Sequence, residues 1–126
     1  LDSAWVSEIK WSEKNTTIII AEGLLMYFTE SDVKEILNIL VAAFPKADLL
    51  FDVVHSFFVG KKISSDFLWG IEYAREIECL NPNVTVVKAW STGNLLKEQQ
   101  SAAFRLLNVF PSTRNRSQII HLKLKG

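Results

Sequence analysis

Residues 18–28, Ile-Ile-Ile-Ala-Glu-Gly-Leu-Leu-Met-Tyr-Phe, run straight into Thr29-Glu30-Ser31-Asp32, and the reading of this passage decides the fold. The β-branched run over 16–21 ends at Glu22-Gly23, which predicts a strand buried on both faces. Thr29 to Asp32 has the form of a capping box, with Asp where Glu or Gln is usual. Val33, Ile36, Leu37, Leu40, Val41 and Phe44 then recur at helical spacing, giving a core-facing stripe that Pro45 stops. Asp48–Val54 is a second apolar run and predicts a second buried strand. Strand, helix and strand within about forty residues make a βαβ unit, with parallel strands and a right-handed crossover.

Upstream of this unit, Trp5, Val6 and Ile9 give residues 2–9 a weak helical pattern. Downstream, residues 56–69 are aromatic-rich and irregular. Residues 71–80 read as a short helix ended by Asn81-Pro82, and 84–90 as a third strand. Leu95, Leu96, Gln99, Ala102, Ala103, Leu106, Leu107 and Phe110 form another helical stripe over 95–110, closed by Pro111. Residues 118–125 alternate, with Ile120, Leu122 and Leu124 on one face and His121, Lys123 and Lys125 on the other. That pattern predicts an antiparallel strand with a solvated face on which His121 is exposed. The whole is an α/β layout like the second half of a doubly wound sheet.

One domain accommodates all of it. With 126 residues and 48% apolar composition, the chain can bury a core without disulfide or metal staples. Fourteen basic residues balance fourteen acidic ones, which argues against a nucleic-acid binder that relies on phosphate neutralisation. Cys79 is the single cysteine, so disulfide scaffolds and cysteine-built zinc sites are excluded and a reducing, cytoplasmic setting is expected. No apolar run approaches the roughly 18 residues that span a bilayer, so no membrane partner is expected. The sequence opens on Leu1 rather than methionine, and the expectation is of a piece of a longer protein.

Ligands of open α/β sheets bind beyond the carboxyl ends of the strands. Glu22 and His55 leave the two parallel strands at that edge. The carboxylate suits a cationic or hydroxyl group, and the imidazole suits a base near neutral pH. Each is weighed evenly against an ordinary loop residue. Asp52, flanked by hydrophobes, reads as a hydrogen-bonded structural carboxylate. Phe57, Phe58, Phe67, Trp69 and Tyr73 read first as filler and otherwise as a lid over an apolar ligand. No metal site is indicated, and there is no G-x-G-x-x-G, P-loop, G-x-S-x-G, C-x-x-C or H-E-x-x-H.

Residues 18–28, with Phe44-Pro45-Lys46-Ala47-Asp48-Leu49-Leu50-Phe51-Asp52 after the helix, resemble the S-adenosylmethionine-dependent O-methyltransferases of the leucine carboxyl methyltransferase superfamily. Within it, the pattern looks like the branch related to the tetracenomycin polyketide O-methyltransferase. Leu1-Asp2 with Trp5, Trp69-Gly70-Ile71, Glu78, Trp90 and Arg114-Asn115-Arg116 extend the resemblance over the chain, but only over the C-terminal half of the family's domain. It implies a class I, Rossmann-like sheet of order 3-2-1-4-5-7-6, of which this chain holds strands 4-5-7-6 with the last antiparallel. The glycine-rich loop, the acid that grips the ribose and an arginine for the cofactor's carboxylate would precede Leu1.

The resemblance further implies that Glu22 contacts S-adenosylmethionine, with Asp2 a weaker carry-over because its surroundings depart from the family's Asp-Leu pair. The parent is then a transferase of polyketide type. It methylates a hydroxyl or carboxyl of a small organic acid or polyketide-like acceptor, with Tyr27 and His55 at the acceptor pocket. The chain alone is expected to hold the cofactor weakly, since the phosphate-type loop is missing. Without its first-half neighbour, the uncharged strand at 16–21 becomes an apolar sheet edge, and a homo-oligomer through that edge is expected. The alternative class is a non-enzymatic α/β interaction module, or a half-domain that assembles with another chain.

Overall fold

The βαβ unit forms where the periodicity places it. In a computed structural model of the chain, which describes residues 2–12, 14–61, 66–92 and 116–126, Ile18–Ala21 is strand β1, Glu30–Ala43 helix α1 and Asp48–Val54 strand β2. Thr29 and Asp32 close the capping box: the Thr29 hydroxyl accepts the Asp32 N–H at 3.2 Å, and Asp32 Oδ2 accepts the Thr29 N–H at 3.0 Å. The hydroxyl and the amide of Thr29 hold the Asp32 carboxyl below its ordinary value, which keeps a negative charge at the positive end of the helix dipole. Val33, Leu37, Leu40 and Val41 are buried along one side of α1, and Phe44 just beyond its end. At Pro45 the chain turns, with Lys46 in the left-handed region at φ 73°, and the Lys46 N–H donates to Leu124.

β1 and β2 are parallel, from Ile18 opposite Asp48 to Ala21 opposite Phe51. Val84–Ser91 is β3 and Ser117–Leu124 is β4. The order is β1-β2-β4-β3, with β4 antiparallel to both neighbours, so the sheet has the 4-5-7-6 arrangement expected from the sequence. Leu49, Phe51, Val53, Ile120, Leu122 and Leu124 share one face and form a single core with the α1 stripe.

Three expectations need correction. The first strand is not buried on both faces. Ile19 and Ala21 lie half-buried against the core, but Ile18 is 60% and Ile20 73% exposed, because no helix among the described residues covers the second face. The helix expected over 71–80 begins later, as α2 at Glu76–Leu80. Ile71 instead forms a parallel bridge with His55, and Glu76 Oε1 accepts the N–H groups of Glu72 and Tyr73, fixing a turn ahead of the helix. Gly70 lies where a Cβ would stand 2.7 Å from the Val54 carbonyl oxygen, so this close approach requires glycine. The stripe at 95–110 lies outside the described residues, as do Leu1 and the Arg114-Asn115 match.

His121 is the third correction. It is half-buried, and its Nε2 lies 2.7 Å from Asp48 Oδ1, while Lys123 Nζ donates to Asp48 Oδ2 at 2.8 Å. The register explains the pairing, since Lys123 stands opposite Asp48 and His121 opposite Leu50, two residues further along the same face. The Lys123 ammonium first, and His121 second, hold the Asp48 carboxyl below its ordinary value. A carboxyl depressed by folding stabilises fully above its unfolded value and loses that contribution as pH falls through the folded one. Asp48→Asn should therefore cost about 0.5–1 kcal/mol at neutral pH after solvent screening, and nothing in strong acid. Urea melts of both proteins across acid pH would measure this, and a gap that persists at the acid limit would refute it.

Candidate functional site

The carboxyl ends of β1 and β2 meet at a shallow cavity of about 430 Å³. Side chains alternate along strands, so Ile20, Leu50 and Ile119 share the uncovered face and give the cavity an aliphatic floor. Glu22, Asp52, Thr92 and Ser117 supply its polar lining. Glu22, exposed at the end of β1, is followed by Gly23 at φ 60°, a left-handed position that glycine adopts without strain. The Gly23 N–H donates to Asp52 Oδ1 at 2.7 Å, and the Thr92 hydroxyl donates to the Ser117 carbonyl at 2.9 Å. The structural reading of Asp52 therefore holds. Its carboxylate also lines the cavity, which the flanking hydrophobes had concealed. The clue lay in register, because positions 22 and 52 directly follow the last β1–β2 pair.

The other predicted residues do not gather here. His55 is buried, and its Nδ1 accepts the Phe57 N–H at 3.0 Å, which makes it the cap of a 3₁₀ turn over Ser56–Phe58. With Nδ1 accepting, a neutral His55 carries its proton on Nε2. Tyr27 is half-exposed in the 3₁₀ turn Leu25–Tyr27 and packs edge-on against Phe67, ring centres 5.6 Å apart. Asp2 accepts the Ala4 N–H at 2.9 Å and lines a separate small cavity with Trp5 and Ile36 beside α1. Of the five aromatics, Trp69 is buried in the core, whereas Phe57 and Tyr73 are exposed. Ser117, Ile119 and Thr92 were missed because they reach the cavity from segments remote in sequence. Among the described residues no group of histidine, cysteine and carboxylate side chains could hold a metal ion, and no helix is long and apolar enough to cross a membrane.

No protein-family model matches the chain, and no curated protein matches it. Solved structures do. The fold is similar to that of the N-methyltransferase NodS from Bradyrhizobium japonicum WM9, with TM-score 0.51 and 13% identity over 93% of this chain and 56% of that one. It is also similar to a DUF574 family protein from Streptomyces avermitilis MA-4680, with TM-score 0.57 and 11% identity over 99% of this chain and 52% of that one. The chain thus spans about half the length of the structures it matches. At such identities the likeness is one of fold, and the mixed four-stranded sheet corresponds to part of the Rossmann-like fold of these structures.

Proposed function

We propose that residues 1–126 form the later half of an S-adenosylmethionine-dependent O-methyltransferase whose acceptor is a small organic acid or a polyketide-like hydroxyl or carboxyl compound. The observation that carries this reading is the placement of Ala-Glu-Gly-Leu-Leu-Met-Tyr. The motif lies at the carboxyl end of β1, between a parallel strand and a capped helix, in a sheet ordered β1-β2-β4-β3. The residues present fit one end of such a donor: an exposed carboxylate, Glu22, stands over the aliphatic floor. The glycine-rich loop and ribose-binding acid that would hold the rest are not in this sequence.

The donor, when bound, supplies a sulfonium methyl group. Glu22 accepts hydrogen bonds from it, and the floor excludes water on one side. Tyr27, steadied by Phe67, borders the acceptor, where correct placement contributes more than any single chemical group. His55 acts there as a base only by surrendering the Phe57 N–H. Asp2 stays the weaker cofactor candidate, since it lines a different cavity.

Glu22→Ala in the product of the complete reading frame should weaken donor binding by roughly 1.5–3 kcal/mol, about tenfold or more, and leave the fold intact. Titration calorimetry with S-adenosylmethionine measures this, alongside transfer of labelled methyl to candidate acceptors. Unchanged donor affinity, or a complete frame that binds no donor, would overturn the reading. One observation favours a second reading, a half-domain that assembles with another chain: β1 is a sheet edge, and its uncovered face is apolar.

A further inference from the structure

We infer that a small-molecule carboxylate binds on the core side of the sheet's carboxyl edge, held by Gln118, His55 and Arg116, none of which lines the cavity beyond β1. Gln118 opens the inward alternation of β4 that continues through Ile120, Leu122 and Leu124, and only 6% of its surface is exposed. Its Nε2 has no hydrogen-bond partner, the one side-chain polar atom so buried and so unmet among the described residues. A buried donor without an acceptor costs stability, and folded chains retain few of them. The group that meets it must bring an acceptor, because an amide Nε2 only donates. His55 supplies a second donor. Gln118 stands opposite Val53, and pairing runs on past the end of β2, where the His55 N–H donates to the Arg116 carbonyl at 3.0 Å. His55 and Gln118 therefore occupy diagonal positions on neighbouring strands, roughly 7–8 Å apart, which long side chains cross. His55 is buried, bridged on its other edge to Ile71, and its Nδ1 is taken by the Phe57 N–H. The neutral ring then offers its Nε2–H. Arg116, opposite His55 and directly ahead of β4, adds a positive charge. Two N–H donors beside a guanidinium match the two oxygens and the charge of a carboxylate. A hydroxyl leaves that charge unanswered, and an amine sets donors against donors. In the transferase reading this selects acid acceptors over hydroxyl ones, and His55 orients the acceptor without taking a proton. Only that link to methyl transfer rests on the transferase reading; the site itself does not.

The test uses the 126-residue chain with nitrogen-labelled glutamine side chains, titrated with hydrocinnamate, hydrocinnamyl alcohol and phenethylamine at low salt. The Gln118 amide signal is assigned by its loss in Gln118→Leu. Hydrocinnamate should move that signal saturably and bind about tenfold tighter than the alcohol, with the amine weakest. Gln118→Leu should bind hydrocinnamate about tenfold more weakly yet unfold in urea at the same midpoint or a higher one, because an unmet polar group has left the interior. A purely structural Gln118 would do the reverse. Arg116→Gln should bring acid and alcohol toward equal affinity. The order of affinities and the amide shift in the wild-type chain decide the matter even if the variants fail to fold. Equal affinities, tighter binding of alcohol or amine, or undiminished binding by Gln118→Leu would overturn the inference. So would a Gln118 amide that exchanges with a trapped water and ignores hydrocinnamate. In the product of the complete reading frame, methyl transfer to hydroxyl acceptors alone would sink this inference and spare the transferase reading. Carboxylate preference without methyl transfer would do the opposite.

Discussion

Leu122→Ala should lower the stability of the chain by about 2–5 kcal/mol. Leu122 has no exposed surface and lies mid-way along β4, opposite Leu49 of β2 on one side and Val86 of β3 on the other. It belongs to the same core as Leu37 and Leu40 of α1, so the void left by truncation would be walled by a helix and three strands. Such a site has little freedom to collapse, since α1 is capped at one end and tied through Lys46 to the end of β4 at the other. Against a typical total of about 5–15 kcal/mol, this loss is a large share. Urea melts should show a lower midpoint with an unchanged slope. A loss below about 1 kcal/mol would mean that the core refills around β4.

The second large effect concerns assembly. At micromolar concentration the 126-residue chain should be a dimer or larger species, and Ile18→Lys should weaken that association by about tenfold or more. From Thr16 to Ala21 the first strand carries no charge, proline or bulge, and Ile18 and Ile20 stand exposed at the sheet edge. The opposite edge, β3, differs: its ladder is irregular between Val86 and Lys88, and Lys88 lies over the Trp90 ring. Two copies of β1 can pair antiparallel about a two-fold axis, Ile19 facing its own copy and Ile18 facing the second copy's Ile20. That register keeps every uncovered isoleucine on one side of a continuous sheet. The Ile18→Lys change would set a charge beside an apolar neighbour at both ends of the joint. Light scattering after size exclusion decides the matter. A wild-type monomer, or an Ile18→Lys variant as large as the wild type, would exclude β1 as the joint.

Local chemistry made the first half of the fold legible. The Thr29–Asp32 box, the spacing from Val33 to Phe44 and the stop at Pro45 each act within a few residues, and all three appear where the sequence put them. The alternation around Ile120, Leu122 and Leu124 likewise marked a strand with two unlike faces. What stayed hidden depends on distant partners. An isoleucine run looks alike whether or not a layer covers it, so the exposure of Ile18 and Ile20 left no local mark. Ile71 satisfies helical spacing yet is claimed by His55. His121 meets Asp48 from 73 residues away, and Asp52 meets Gly23 from 29. The cavity could be placed at the end of β1 through Glu22, but its Ser117 and Ile119 wall comes from the last strand.

The insertion of β4 between β2 and β3 carries a consequence for synthesis. On the ribosome, β1, α1 and β2 emerge early and can close on contacts between near neighbours in the chain. Among the described strands β3 pairs with β4 alone, and β4 is the last of the four to be made. For a few seconds, at about 5–20 residues per second, the nascent β3 therefore waits with its ladder groups unmet. Arrival of β4 then docks two partners at once, joining the early unit to the waiting strand in a single step. A ribosome that stops before β4 would release one chain in which the early unit can form while β3 is left without a partner strand, and quality control would meet an exposed ribbon tethered to a folded piece.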